Sequence, residues 1–267
     1  MKLLKLLRVV ILNRLYSKQT LHTVKRHFVQ MNKFIFDVDG TLTPSRQTID
    51  PEFKTFFKHF IRDNKVFLVT GSDYPKTVEQ LGADICESVV TVYNCSGNDV
   101  WFKGKRVNSK PFTAPKELYD LMNGWLQGSP FPLRTGNHIE ERTGTINFSI
   151  VGRNCTLGER KLYVKHDIKN RERESIAFQI NSEFPNITAA VGGETGIDIY
   201  RKGGDKSQIL EDFNKDDKIW FFGDRMEPGG NDWPLAAKLN KQRCYNVKDW
   251  RDTMERLQYF QEAKIAA

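Results

Sequence analysis

The sequence lacks a long apolar run, has few cysteines and contains no internal repeat or low-complexity linker. No apolar segment of the 267 residues approaches the roughly 20 residues that a membrane-spanning helix needs. The hydrophobic fraction of 39% and the aromatic fraction of 12% are still sufficient for a packed core. Membrane-spanning, collagen-like and largely disordered proteins are therefore excluded, and the length suits one large domain or two small ones.

The cysteines are too few and too scattered to indicate a metal site. No two of them lie within four residues of each other; they are Cys86, Cys95, Cys155 and Cys244. Cysteine ligands of a metal usually occur in close pairs, so this spacing gives no such signal. Because no secretory leader indicates an oxidising compartment, we predict free thiols and a cytoplasmic protein.

Acidic residues are absent from residues 1–30, which hold seven of the 41 lysines and arginines. The rest of the chain has 34 basic and 33 acidic residues, so the net charge of +8 belongs almost wholly to this basic leader. A nucleic-acid-binding domain needs a basic face of its own, so we expect no nucleic-acid partner. The leader has two interpretations: upstream sequence ahead of a start at Met31, or a targeting or membrane-surface helix.

Short apolar runs followed by polar or glycine-rich residues predict buried parallel strands. They occupy residues 34–36, 66–69, 89–92 and 219–222. Between the first two, Phe53, Phe57 and Phe60 recur at helical spacing, and Asp50 followed by Pro51 is typical of a helix start. This alternation of strand and helix predicts an α/β domain with a parallel sheet.

The middle of the chain has a different pattern. Ile146, Phe148 and Ile150 alternate with polar residues, as in an antiparallel strand with one solvated face. Helical patterns occupy residues near 115–126 and 158–183. We therefore predict a second, α+β domain with an antiparallel sheet at residues 106–203, inserted into a core formed by residues 31–105 and 204–267.

The polar segments after the predicted strands indicate a functional site, because ligands bind beyond the carboxyl ends of strands in open α/β sheets. Asp37 and Asp39 follow the first strand, and alternation along the extended chain places them on one side. Paired carboxylates suit a nucleophile with an acid–base partner, and they also suit Mg²⁺. Thr70 and Ser72 follow the second strand and offer hydroxyl groups to a phosphoryl oxygen.

A second acidic cluster follows the last predicted strand. Asp224 comes directly after that strand and would complete a metal site. Asp232 lies beyond a glycine-rich turn and would either bind the metal or orient a metal-bound water. Lys206 would offset the charge of Asp37 and of a phosphate. The combination of these segments is far more specific than any one of them.

The combination resembles the haloacid-dehalogenase superfamily of phosphotransferases, and more narrowly the eukaryotic-type phosphomannomutases. The segments that carry the resemblance are FDVDGTLTPSRQ, GSDYPKTVEQLG, GTINFSIVGRNC, GGETGIDIYRKGGDK and FFGDRMEPGGND. They span nearly all of residues 33–232. The resemblance implies a Rossmann-like core with an inserted α+β cap. It also implies interconversion of a hexose 1-phosphate and a hexose 6-phosphate, with mannose as the expected sugar.

The resemblance further implies roles at the phosphoryl end of the site. Asp37 matches the aspartate that is phosphorylated, and Asp39 matches the general acid–base. Asp37, the Asp39 backbone carbonyl and Asp224 would hold Mg²⁺. Lys206 matches the lysine that balances the charge of the phosphoryl group. Because its sugar bisphosphate must turn over within the site, a mutase would take a hexose 1,6-bisphosphate as activator.

Other residues match the family's phosphate and sugar contacts. Ser72 matches the phosphate-binding hydroxyl, with Thr70 as its rival, and Arg46 matches a substrate-contacting arginine of the core. Asp198 matches a cap carboxylate that binds sugar hydroxyls. The cap arginines that grip a distal phosphate are matched by Arg142, Arg153 and Arg160, since arginine forks pair with phosphate oxygens. A homodimer through the cap is a further expectation.

The sequence departs from the family pattern at three places. Gly196 stands where the family has a serine, residues 233–237 replace an acidic cation-binding loop, and NCSGND replaces an ENG-type turn before the cap. These departures leave the predicted phosphoryl site intact. They keep a sugar phosphatase of the same superfamily open as an alternative to the mutase. A non-catalytic binding protein on this fold is the third hypothesis, against which the intact charged cluster argues.

Overall fold

A computed structural model describes residues 32–265. The basic leader at residues 1–30 lies outside the described residues, and both interpretations of it remain predictions. Within the described residues, every helix is too short or too polar to traverse a lipid bilayer.

The polypeptide alternates strand and helix around a seven-stranded sheet. Its strands are β1 (Lys33–Phe36), β2 (Lys65–Val69), β3 (Thr91–Asn94), β4 (Asp99–Phe102), β5 (Lys105–Ser109), β10 (Ile219–Gly223) and β11 (Cys244–Asn246). Its helices are α1 (Pro51–Asp63), α2 (Tyr74–Leu81), α3 (Ala83–Ser88), α7 (Trp233–Ala236) and α8 (Trp250–Ile265). Short 3₁₀ turns occur at Cys95–Gly97, Lys206–Asp212 and Lys241–Arg243.

The strand order of this sheet is β11-β10-β1-β2-β3-β4-β5. The pairs from β11 to β3 are parallel, whereas β4 and β5 join as antiparallel strands. In the centre, Phe36 of β1 lies in register with Phe222 of β10 and Leu68 of β2. The carboxyl ends of β1, β2 and β10 therefore lie side by side, and the parallel sheet predicted from the sequence is confirmed.

Aromatic side chains fix helix α1 against the sheet. The Asp50 side chain accepts hydrogen bonds from the backbone N–H groups of Glu52 and Phe53, which begins the helix as predicted. The fully buried Phe57 ring meets the Phe36 ring edge-on, with centroids 5.2 Å apart. Phe36 in turn stacks on Phe222 at 4.9 Å, so the strands that carry the site share one aromatic core.

A separate four-stranded antiparallel sheet has the order β6-β7-β9-β8. Its strands are β6 (Ile139–Arg142), β7 (Thr145–Phe148), β8 (Ile187–Gly192) and β9 (Gly196–Arg201). The helices of this part are α4 (Lys116–Gly128), α5 (Leu157–Asn170) and α6 (Glu172–Glu183). Arg171, with a φ of 52°, separates the last two helices. Phe148, Tyr163 and Ile180 belong to one buried cluster that joins sheet and helices.

The predicted start of the second domain falls within strand β5. Its residues, Lys105–Ser109, pair with β4 in the seven-stranded sheet, whereas the prediction placed a boundary between residues 105 and 106. A parallel α/β sheet and a distinct antiparallel sheet with its own core are both present, so the predicted fold class is confirmed.

Replacing Phe57 by alanine is expected to lower the free energy of unfolding by about 3–5 kcal/mol, because it leaves a cavity between α1 and β1. The control is Phe178→Ala on α6, where 74% of the side chain is exposed and the change should stay within about 0.5 kcal/mol. Urea unfolding followed by tryptophan fluorescence measures both. Equal losses in the two variants would contradict this account of the core.

Candidate active site

A buried lysine stands at the carboxyl edge of the parallel sheet, between two aspartates. The Lys206 Nζ donates to Asp37 Oδ1 at 2.5 Å and to Asp232 Oδ1 at 2.7 Å. All three residues are 2% exposed or less. Asp37 directly follows β1, and its backbone N–H donates to the carbonyl of Phe222 on β10 at 2.9 Å. The sheet register therefore sets where this carboxylate stands.

Three carboxylates form the candidate metal site. Asp37, Asp224 and Asp232 each offer an oxygen, and these oxygens lie within 4.8 Å of one another. Burial raises the pKa of Asp37 well above its usual range; Lys206 opposes this, while Asp232 and Asp224 add to it. Burial and Asp232 raise the pKa of Asp224 to about 6. One ammonium does not balance three carboxylates, so a hard divalent cation such as Mg²⁺ fits these residues.

Glycine allows the two acidic segments to approach each other. Gly40 has a φ of +82°, and a Cβ there would lie 2.3 Å from Asp224 Oδ2. A Cβ on Gly223 would likewise lie 2.5 Å from Asp232 Oδ2. Both positions must therefore be glycine for the carboxylates to keep these places.

Asp39 is not one of the three grouped carboxylates. Its Oδ1 accepts from the Arg46 backbone N–H at 2.7 Å and from Gln80 Nε2 at 2.9 Å, and its Oδ2 lies 3.4 Å from the Ser72 hydroxyl. A metal contact through its backbone carbonyl stays a prediction. Gln80 is 2% exposed and was missed by the sequence analysis. The signal was its place on the buried face of α2, three residues after Thr77.

The Thr70–Ser72 segment lies beside these carboxylates. The Thr70 backbone N–H donates to the Tyr93 carbonyl at 2.9 Å, and the Thr70 carbonyl accepts from the Ser96 N–H at 2.8 Å. The Thr70 hydroxyl is buried and accepts from the Ser72 N–H at 3.1 Å. The half-buried Ser72 hydroxyl faces Asp39. Thr70 and Ser72, the two candidates for the phosphate-binding hydroxyl, thus both lie at the site. The Ser72 hydroxyl belongs to the more exposed of the two residues.

A cavity of about 560 Å³ extends from this edge of the sheet to the four-stranded sheet. Its lining includes Asp37, Asp39, Thr70 and Ser72 at the edge of the parallel sheet, Arg142 and Asp198 of the four-stranded sheet, and Arg46 and Arg153. This volume suits a small polar ligand, since ligand cavities commonly hold about 300–1,000 Å³. Residues predicted from distant segments of the sequence therefore share one cavity.

Three arginines of the cavity lining, Arg46, Arg142 and Arg153, lie close enough to influence one another's charge. One oxygen of Glu140 accepts from Arg142 at 2.7 Å and from Arg153 at 2.8 Å. Burial, followed by Arg46 and Arg142, lowers the pKa of Arg153 to about 10. An excess of crowded guanidinium groups favours an anion beside them. Glu140, which orients two of them, was also missed by the sequence analysis.

Arg160 and Asp198 have different positions. Arg160 does not line this cavity; it pairs with Glu194 at 3.3 Å and lines a neighbouring groove. Its charge still helps to lower the pKa of Arg46, after the larger effect of burial. Asp198 of β9 lies opposite Asn147 of β7, whose Nδ2 donates to it at 2.6 Å.

Gly196 leaves little room for the family's serine. A Cβ at Gly196 would lie 2.6 Å from the Asn147 Nδ2. Asn147 is buried and its Oδ1 has no protein partner. In this chain, the Asn147 side chain occupies the space beside Gly196.

Solved structures show the class of fold. The IMP-bound IMP-nucleotidase of Plasmodium falciparum has a TM-score of 0.61 and 16% identity, covering 87% of this chain and 68% of that one. The trehalose-6-phosphate phosphatase C-terminal domain of C. albicans has a TM-score of 0.58 and 15% identity, covering 85% and 90%. At such identities the likeness concerns the fold alone, which is that of the haloacid-dehalogenase superfamily.

Sequence comparison shows the family within that class. The eukaryotic phosphomannomutase family matches residues 53–262. Phosphomannomutase 1 of Homo sapiens is 35% identical over 235 residues, which cover 83% of this chain and 89% of the relative. Phosphomannomutase of Spinacia oleracea is 33% identical over 232 residues, covering 83% and 92%. The chain belongs to the eukaryotic phosphomannomutase family, as the resemblance predicted.

Replacing Gly40 by alanine is expected to weaken Mg²⁺ affinity at least about tenfold, because the new methyl group displaces Asp224. Gly229→Ala is the matched control, since Gly229 also has a positive φ, +90°, but no atom lies within 4 Å of its added Cβ. Isothermal titration calorimetry with Mg²⁺ compares the two. Unchanged affinity in Gly40→Ala would exclude Asp224 from the cation site.

Proposed function

We propose that this protein is a phosphohexomutase that interconverts mannose 1-phosphate and mannose 6-phosphate. The main supporting observation is one cavity lined both by Asp37, which belongs to the carboxylate–lysine cluster, and by the arginines Arg46, Arg142 and Arg153. A sugar that is phosphorylated at either end needs such a pair of sites. Relatives at 32–35% identity, which are named phosphomannomutases, support this substrate class.

In this proposal, Asp37 attacks the phosphorus atom of a hexose 1,6-bisphosphate in line with the scissile bond. An Asp37 oxygen–phosphorus bond forms, the phosphorus–sugar oxygen bond breaks, and Asp39 gives a proton to the departing sugar oxygen. Lys206 holds the Asp37 carboxylate in place, and the Ser72 hydroxyl donates to a phosphoryl oxygen. Mannose 1-phosphate then takes the phosphoryl group from Asp37 onto its 6-hydroxyl, whose proton passes to Asp39, and becomes mannose 1,6-bisphosphate. This bisphosphate reorients, returns its 1-phosphoryl group to Asp37 and leaves as mannose 6-phosphate.

The acidic cluster supports a magnesium requirement. Asp37, the Asp39 carbonyl and Asp224 would hold Mg²⁺, with Asp232 as a ligand or as the partner of a bound water. When bound there, Mg²⁺ would neutralise charge on the transferring phosphoryl group. The hexose 1,6-bisphosphate would act as activator, because it phosphorylates Asp37 at the start of the cycle.

The residues of the four-stranded sheet would bind the part of the substrate that does not react. Arg142 and Arg153, with Arg46, would hold the distal phosphate, and Arg160 would add its charge from the neighbouring groove. Asp198 would accept hydrogen bonds from sugar hydroxyls. We assign the four-stranded sheet, with helices α4, α5 and α6, the role of a cap whose closure keeps water away from the phosphoaspartate.

We also propose a cytoplasmic homodimer formed through the cap. Four apolar side chains on helices α5 and α6 are 57–78% exposed, which favours a covering partner. They are Leu157, Leu162, Ile168 and Phe178. All four cysteines are free thiols, as expected in a reducing compartment.

Phosphorus NMR tests the reaction. With Mg²⁺, mannose 1-phosphate and catalytic hexose 1,6-bisphosphate, we expect a growing 6-phosphate signal at constant total ester. Asp37→Asn should abolish this signal and the trapping of a phosphoaspartate. Growth of inorganic phosphate instead would identify a sugar phosphatase. Normal turnover by Asp37→Asn would remove Asp37 as the nucleophile.

Replacing Arg153 by alanine is expected to raise KM for mannose 1-phosphate roughly tenfold to hundredfold, because a charged hydrogen-bonding group is lost. Turnover of acetyl phosphate, which has no distal phosphate, should fall far less. Arg251→Ala, an exposed arginine outside the cavity, is the control. An equal loss with both substrates would mean that Arg153 has a structural role.

A further inference from the structure

Arg173 is a buried charged residue that the proposed reaction does not use. It lies in the first turn of α6 and is only 9% exposed. Its backbone N–H donates to Asp167 Oδ1 at 2.9 Å, and its Nε donates to Asp167 Oδ2 at 2.7 Å. Asp167, near the end of α5, is 7% exposed. The aspartate therefore fixes the position of the guanidinium group from one side.

The other side of the guanidinium group faces backbone carbonyls. Its NH1 lies 3.1 Å from the carbonyl oxygen of Gly193, 3.3 Å from that of Gly196 and 3.5 Å from that of Gly192. These carbonyls belong to residues 192–196, the turn between β8 and β9, which we call the 192–196 turn. Three of its five residues are glycines, so Thr195, which is buried, is its one packed side chain.

The 192–196 turn forms a wall of the cavity. Gly192 and Gly193 line it together with Asp198. A Cβ on Gly192 would lie 2.2 Å from Asp198 Oδ2, so the turn backbone packs directly on the carboxylate assigned to the sugar hydroxyls. The same turn carries Glu194, which pairs with Arg160 at 3.3 Å. Movement of the turn would displace both groups.

We propose that Arg173 is a positioning residue that fixes the 192–196 turn and, through it, the places of Asp198 and Arg160. The inference rests on the proposed function for its effect on substrate affinity. Arginine suits this role because its planar group offers several donors in fixed directions. A lysine at this position would carry its charge on a single nitrogen atom, so it could not contact Asp167 and the carbonyls in the same geometry.

Hydrogen exchange tests the positioning without any substrate. In Arg173→Lys, amides of residues 190–198 should exchange about fivefold to tenfold faster, as expected for the loss of one or two hydrogen bonds. The control is Arg171→Lys, a neighbouring arginine that is 76% exposed and pairs with Glu174. It should leave the exchange of this segment unchanged. Unchanged exchange in Arg173→Lys, or uniform acceleration over the whole cap, would overturn the proposal.

Kinetics test the consequence for the substrate. Arg173→Lys should raise KM for mannose 1-phosphate about tenfold while kcat stays within about twofold, since binding geometry changes and phosphoryl chemistry does not. Arg171→Lys should match the wild type. A parallel fall of kcat and kcat/KM, with KM unchanged, would overturn the proposal.

If Arg173→Lys folds poorly, a second variant tests the same proposal. Asp167→Asn keeps one acceptor for Arg173 and should shift exchange and KM in the same direction by a smaller factor. Absence of both shifts would overturn the proposal. If the wild-type protein itself does not convert mannose 1-phosphate, the proposed function fails, whereas the exchange measurement still decides the role of Arg173.

Discussion

The ammonium group of Lys206, buried between the carboxylates of Asp37 and Asp232, is the interaction on which the site depends. Burying one charge without partners costs several kcal/mol, so the three groups must arrive together. The parallel register of β1 with β10 brings Asp37 to the place where the chain after β10 returns with Asp232. Gly40 and Gly223 remove the side chains that would obstruct this meeting. Folding of the sheet and assembly of the phosphoryl site are thus one event.

Local patterns in the sequence are sufficient to predict the strands and helices, and the carboxylates at the edge of the parallel sheet. The strand of residues 34–36, the phenylalanine stripe of α1 and its Asp50 cap follow from periodicity and from the needs of a helix start. Asp37 and Asp224 can be placed together because strand ends in a parallel sheet share one edge. The order of the strands explains why this reasoning succeeds for residues nearly 190 positions apart. Lys206 begins a 3₁₀ turn instead of following a strand of this sheet, so that reasoning does not place it.

Contacts that depend on packing between distant elements could not be predicted. Gln80 reaches Asp39 from a helix, and Glu140 contacts both Arg142, on its own strand β6, and Arg153, beyond β7. Glu140 is an ordinary polar residue in a polar context, whereas Gln80 is marked only by its place on the buried face of α2. The boundary between the two domains could not be predicted for the same reason. Residues Lys105–Ser109 are mostly exposed and partly charged, yet they pair with β4 and extend the sheet.

One cross-connection links two parts of the cavity lining. The Arg142 NH1 donates to the Gly71 carbonyl at 3.3 Å, so a guanidinium of the arginine cluster also contacts the segment that carries Ser72. An anion that draws Arg142 away alters the phosphoryl segment, and an occupant of that segment alters Arg142. Reciprocity then requires each ligand to change the affinity of the other by the same factor. If a ligand breaks this hydrogen bond when it binds, the loss enters the affinity at both places.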